Sequence, residues 1–161
     1  KKINFWKEKQ ELIGDDNSLT QSLFQIFSLP MADYCKVTLP VFNHNDLHDG
    51  QVIRTNKNGQ ILIDFGNWTE DRPMNDLSFY LFHCLRNDTA FEMFKSFISG
   101  YLQKDFLDET SKQALIFNLL FISTRAIIIF STFRPEYTEV AKINHQKALR
   151  FIEDETLWKA L

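Results

Sequence analysis

The chain has 161 residues, 44% of them hydrophobic, and carries a formal net charge of −3, enough for one well-filled core and no basic field to gather nucleic acid. Two cysteines, Cys35 and Cys84, are too few and too widely spaced for a disulfide framework or a thiolate metal cage, so a reducing, cytoplasmic setting is expected. The start, Lys1-Lys2-Ile3-Asn4-Phe5-Trp6-Lys7, lacks the continuous apolar stretch and small-residue cleavage site of a secretory signal.

Apolar residues at 3, 5, 6, 12 and 13 predict an amphipathic helix over 3–13, stopped near Gly14. Asp15, Asp16, Asn17 and Ser18 offer amino-caps for a second helix reaching about residue 29, where Pro30 ends it. Residues 37–44 are β-prone and run into the loop Asn45-Asp46-Leu47-His48-Asp49-Gly50. Short apolar-rich strands at 51–55 and 60–64 flank Asn56-Lys57-Asn58-Gly59, a turn tolerant of positive φ. Such a hairpin returns Asp64 to the neighbourhood of Asp46.

Four helices are expected downstream. Asn75 or Asp76 caps one that runs to Leu85, a second covers 89–102, Asp105 or Asp108 opens a long third, and the last spans 136–158 after Pro135. Residues 114–133 are apolar enough to be mistaken for a membrane span, yet Arg125 in mid-run is costly in lipid. Ser111, Asn118, Arg125 and Thr132 recur every seven residues and predict one polar stripe on a buried core helix, with no membrane partner. The expected class is mainly α with a small β-hairpin (α+β), and residues 1–161 form a single domain.

The chemistry sits in Phe42-Asn43-His44-Asn45-Asp46-Leu47-His48-Asp49-Gly50-Gln51 and in Ile63-Asp64-Phe65-Gly66. Phosphoryl transfer of the kinase type needs one carboxylate to take the proton of an attacking hydroxyl and another to hold magnesium on the nucleotide's phosphates. The kinase order is His, any residue, Asp, an amide five positions after that Asp, then Asp-Phe-Gly. His44, Asp46, Gln51 and Asp64-Phe65-Gly66 follow that order. Read on their own, Asp46 is a turn-forming Asp and Asp64 a strand-end cap; it is the combination that points to a site.

The loop resembles the His-Gly-Asp-Leu-His-Pro-Gly-Asn loop of the aminoglycoside phosphotransferase and choline kinase family, and Pro73-Met74-Asn75-Asp76-Leu77 resembles that family's Pro-x-x-Asp-Leu stretch. The resemblance covers residues 37–86 at motif level. It implies the helical carboxy-terminal lobe of a protein kinase-like fold, with ATP and Mg as cofactors and the hydroxyl of a small molecule as acceptor. It further implies Asp46 as the catalytic base with His44 organising its loop, Asp64 and Gln51 as magnesium ligands, and His48 and Asp76 as supports of the cofactor side. Asn45 stands where the family usually has Gly, Asp49 where it has Pro, and Gln51 where it has Asn.

The five glycines, at 14, 50, 59, 66 and 100, make no Gly-rich phosphate loop, and no strand Lys of the Val-Ala-Ile-Lys type occurs. The expectation is therefore a carboxy-terminal lobe whose amino-terminal nucleotide lobe is missing, inactive alone. A non-catalytic kinase-like binding module is the alternative. A zinc hydrolase built on His44, His48, Asp46 and Asp64 is a weaker rival, since no other paired ligand spacing occurs. Asp49, Glu70, Asp71 and Glu92 are candidates to line a pocket for a cationic acceptor, and they fit a solvated rim equally well. Trp68 suits stacking on a quaternary amine or a structural role. His83 is expected on a helix face or in the core, and His145 in solvent.

Overall fold

The computed structural model describes residues 41–57, 59–71, 74–86, 90–102, 107–154 and 156. The helices expected over 3–13 and 15–29, and the first part of the strand expected over 37–44, lie outside the described residues. The described elements are small antiparallel sheets followed by a helical body, the α+β class expected.

Strand β1 (Val41–Asn43) leads into the Asp46 loop, and a 3₁₀ turn, Asp49–Gln51, leads out of it. Strands β2 (Val52–Arg54) and β3 (Gln60–Leu62) form the hairpin, paired Val52 with Leu62, Ile53 with Ile61 and Arg54 with Gln60. Its turn is closed by the Thr55 N–H donating to the Gly59 carbonyl at 2.9 Å, while the Thr55 hydroxyl accepts from the Gly59 N–H at 3.0 Å. A second 3₁₀ turn, Phe65–Asn67, then delivers the chain to β4 (Thr69–Asp71), which pairs antiparallel with β1 through Asn43 and Thr69, Phe42 and Glu70, Val41 and Asp71. The sequence gives no hint of β4, because Thr69-Glu70-Asp71 is short and polar and its partner lies well back in the chain.

Helix α1 (Met74–Arg86) and helix α2 (Ala90–Leu102) follow where periodicity puts them, but Asn75 and Asp76, expected as caps of the first, lie inside it, and the Asp76 carboxylate accepts from the Asp46 loop instead. Helix α3 (Glu109–Phe133) opens on Asp108, whose carboxylate accepts from the Ser111 N–H at 2.8 Å. A 3₁₀ turn at Pro135–Tyr137 redirects the chain into α4 (Thr138–Glu153). The core lies where α1, α2, α3 and α4 meet, on Leu77, Leu81, Phe94, Leu115, Leu119 and Ala148, each fully buried.

Among the described residues α3 alone is long and apolar enough to cross a membrane, and 67% of its most apolar window is buried inside the fold. Its buried hydroxyls are satisfied by local hydrogen bonding: the Thr124 hydroxyl donates to the Leu120 carbonyl at 2.7 Å, and the Ser123 hydroxyl to the same carbonyl at 3.1 Å. The heptad stripe does not keep one environment. Asn118 is buried and Arg125 exposed, because a straight α-helix drifts about 20° per heptad away from a strict seven-residue repeat.

His145 is not in solvent. It is 1% exposed, and its Nδ1 lies 2.9 Å from the Ser123 hydroxyl, which ties α4 to α3. A lone polar residue on an amphipathic helix reads as surface until a hydroxyl on the facing helix is known.

Candidate functional site

The Asp46 loop is held from three directions. From below, Asp76 in the first turn of α1 accepts the His44 N–H on Oδ2 at 2.9 Å and the Asn45 N–H on Oδ1 at 2.8 Å. Asp76 is 5% exposed, so both oxygens of a buried carboxylate are satisfied by consecutive backbone amides. From the side, the His44 ring donates from Nε2 to the Ile63 carbonyl at 2.6 Å and packs against Phe65 with centroids 4.8 Å apart. His44 Nδ1 meets no partner among the described residues.

The third hold is Asn45 itself. Its φ of 62° is left-handed, a conformation Asn tolerates better than most residues, so the position usually given to Gly keeps its backbone here without one. The side chain then gains what glycine lacks. Its amide donates to the Asn67 carbonyl at 2.9 Å and to the Thr69 hydroxyl at 2.8 Å, and its Oδ1 accepts from the Asn75 amide at 2.9 Å.

Asp46 is half-buried and faces a cleft of about 570 Å³ walled by α1 and α3. The Asp64 segment lies against the other flank of the loop: the Ile63 N–H donates to the Gln51 carbonyl at 2.9 Å, next to the His44 contact with the Ile63 carbonyl. Asp64 has φ 62°, and with Asn45 it makes up all the positive-φ non-glycine residues described. Strained backbone gathered around two candidate residues is the pattern of a functional site. The Gln51 amide donates to Asp64 Oδ2 at 3.4 Å, so the expected metal pair is in contact, Gln51 nearly buried and Asp64 exposed.

Magnesium keeps several waters and phosphate oxygens and asks few ligands of a protein. One exposed carboxylate and one carboxamide, whose oxygen replaces its nitrogen by a half-turn of the amide, suit that sparse oxygen set. Among the described residues no three His, Cys, Asp or Glu side chains converge as a metal cage. The zinc alternative would need His44, His48, Asp46 and Asp64 to converge, and the His44 Nε2 and His48 Nδ1 atoms are instead engaged by the Ile63 carbonyl and by the Gly50 N–H at 3.1 Å.

His48 caps the turn that carries Gln51, and a Cβ added at Gly50 would stand 2.9 Å from its ring. The His48 ring also stacks on His83 of α1 at 5.2 Å. Asp49, on the same turn, accepts from the Tyr80 hydroxyl at 3.3 Å and lies 3.7 Å from His83 Nε2. Burial, then the nearby Cys84 and Asp49, push the Tyr80 phenol up to about 12. Desolvation lowers His83, more than Asp49 raises it. Asp49 is thus tied to α1, and Asp49, Glu70 and Glu92 are not among the described residues lining the cleft, while the Asp71 side chain lies outside the description.

Asn75, His83, Arg86 and Arg125 also line the cleft, and no sequence motif marks them as cleft residues. Asn75, His83 and Arg86 lie on the α1 face that starts beside the Asp76 motif, and that helical spacing was the available signal. Trp68 is exposed and stacks on Phe42 with centroids 5.0 Å apart, on the β1–β4 side of the loop.

Comparison with curated proteins and with solved structures finds no match. The model of the phosphotransferase enzyme family, by contrast, matches residues 6–112, well over half of the chain, and takes in the Asp46 loop, the Asp64 segment and α1. The chain belongs to the phosphotransferase enzyme family.

Proposed function

We propose that the intact protein is an ATP- and magnesium-dependent phosphotransferase whose acceptor is the hydroxyl of a small molecule. What carries this reading is the pinned loop: Asp46 opens into the cleft while Asp76, His44 and Asn45 hold its backbone beside the Asp64–Gln51 pair. Asp46 orients the attacking hydroxyl and accepts its proton. Asp64 and Gln51 hold the magnesium, which neutralises charge on the phosphates. His44 fixes the spacing between the loop and the Asp64 segment, and His48 and Asp76 brace the cofactor side. A cytoplasmic setting, rich in ATP and reducing, accords with Cys84 as a free buried thiol.

Replacing Asp46 with Asn tests the base. In the intact protein kcat should fall by roughly 10² to 10⁴-fold, the usual share of a positioned proton acceptor, with the melting temperature unchanged. Undiminished turnover removes Asp46 from the role.

The second reading, a non-catalytic binding module, draws on the Gln51 amide proton that faces Asp64, since two ligands that satisfy each other have less need of an ion. Titration calorimetry separates the two. An enzyme binds ATP tightly only with magnesium, whereas a module of this kind binds its ligand equally well in a chelator.

A further inference from the structure

We propose that the cleft accepts an amphipathic hydroxyl compound with an anionic end, a carboxylate or a phosphate, and that Arg125 and Arg86 receive that end. This rests on the phosphotransferase reading and gives its acceptor a chemical class. The family resemblance favours the opposite charge, an amino sugar or choline, so the two expectations are separable by experiment.

The first observation is the sign of the cleft. Its described lining holds one carboxylate, Asp46, and two guanidinium groups, Arg86 and Arg125, beside His48 and His83. Of the acids that might have received a cation, Asp49 is engaged with Tyr80 and His83, and Glu70 and Glu92 are not among the described lining residues. Among the described lining residues a cationic acceptor would meet two positive charges with one negative to offset them.

The second is Arg125 itself. Every other residue in 113–133 is uncharged. Arg125 is nevertheless exposed, turned into the cleft, and no carboxylate among the described residues pairs with it or with Arg86. A guanidinium on an otherwise apolar helix, with its planar fork of donors unspent, suits an oxyanion.

The third is the distance between the ends. Asn75, which touches the Asp46 loop through Asn45, and Arg86 bound the cleft face of α1; eleven residues of helix separate them by about 16 Å. Phe79, Phe82 and Phe121 line the space between. An acceptor that places a hydroxyl at Asp46 and an anion at the arginines must therefore carry an apolar middle. Residues 121–130, which supply Arg125, fall beyond the stretch matched by the family model, so this end of the cleft is free to differ from the family's usual preference.

The test is calorimetry on the intact protein without nucleotide, using three probes of equal chain length: ω-hydroxydodecanoate, ω-hydroxydodecyl phosphate and ω-aminododecanol. At least one anion should bind roughly tenfold or more tighter than the amine, the scale of a charge-assisted hydrogen bond. Which anion binds more tightly tells a carboxylate source from a phosphate source. Arg125→Gln and Arg86→Gln should each weaken the anion by about tenfold and leave the amine as tight or tighter, and Arg125→Lys should restore part of the loss. Circular dichroism melts of the variants show that folding is intact. Equal or tighter binding of the amine, or anion affinity indifferent to both Gln variants, overturns the proposal. ATP-dependent phosphorylation of the same probes is scored separately. Anion binding without turnover sinks the phosphotransferase reading and leaves the arginine site standing, while turnover of the amine alone does the reverse.

Discussion

Asp76 shows how much one side chain can organise. Both of its oxygens accept backbone amides of the Asp46 loop, and the carboxylate is buried, so truncation strands two donors as well as removing two charge-assisted bonds. Asp76→Ala should cost roughly 2–4 kcal/mol in urea denaturation, and a loss below about 0.5 kcal/mol would mean the loop holds itself. Tyr80 gives a pH signature. Its phenol titrates near 12 in the fold against an ordinary 10.0, so the folded state favours the neutral form. The stability this contributes is complete below pH 10 and is lost as pH rises from 10 towards 12. Tyrosinate absorbance should show a late-titrating component, and Tyr80→Phe should remove one tyrosine's share of it. At this scale the candidate residues were legible as a group, because His44, Asp46, Gln51 and Asp64 keep a recognised spacing, and the fold brings Gln51 to Asp64 and His44 to the Ile63 carbonyl. Their company was not. That His83 would meet Asp49 and His48, or that His145 would meet Ser123, depends on which helix faces turn towards each other, and a sequence does not state this.

Helix α3 carries the burden among the elements. Its inner face fills the core through Leu115 and Leu119, whereas Phe133 at its end is 74% exposed. Leu119→Ala should therefore lose about 2–5 kcal/mol, the range for a large-to-small change at a fully packed site. Phe133→Ala should stay within about 0.5 kcal/mol. Comparable losses for the two, measured by thermal melts, would contradict this account of where the core lies. All four described helices were readable beforehand, since the apolar spacing fixes their type, and Asp108 and Pro135 mark the approach to the last two. The β1–β4 pairing was not, because three polar residues carry no period and the pairing is made across the whole hairpin.

For the molecule as a whole, the site joins two parts with different duties: the small sheets hold the Asp64–Gln51 pair, and the helical body forms the cleft. The proposed magnesium ligands, exposed Asp64 and buried Gln51, sit at turns outside the hydrophobic clusters of the core. A chelator should accordingly abolish phosphoryl transfer while shifting the melting temperature of the nucleotide-free protein by less than about 2 °C, unlike a structural metal whose binding energy is folding energy. A large drop in that melt would reassign the ion to the fold. The cleft was the least legible feature of all, since it exists only where a face of α1 and a face of α3 converge.

Asn45 works as a clasp. Its side chain is bonded to Asn67, Thr69 and Asn75, three positions in separate segments, while its backbone holds a left-handed φ of 62°. Asn45→Gly would ease that dihedral and give up all three side-chain bonds, so the clasp on the Phe65–Asn67 turn, β4 and α1 would open while the loop kept its bend.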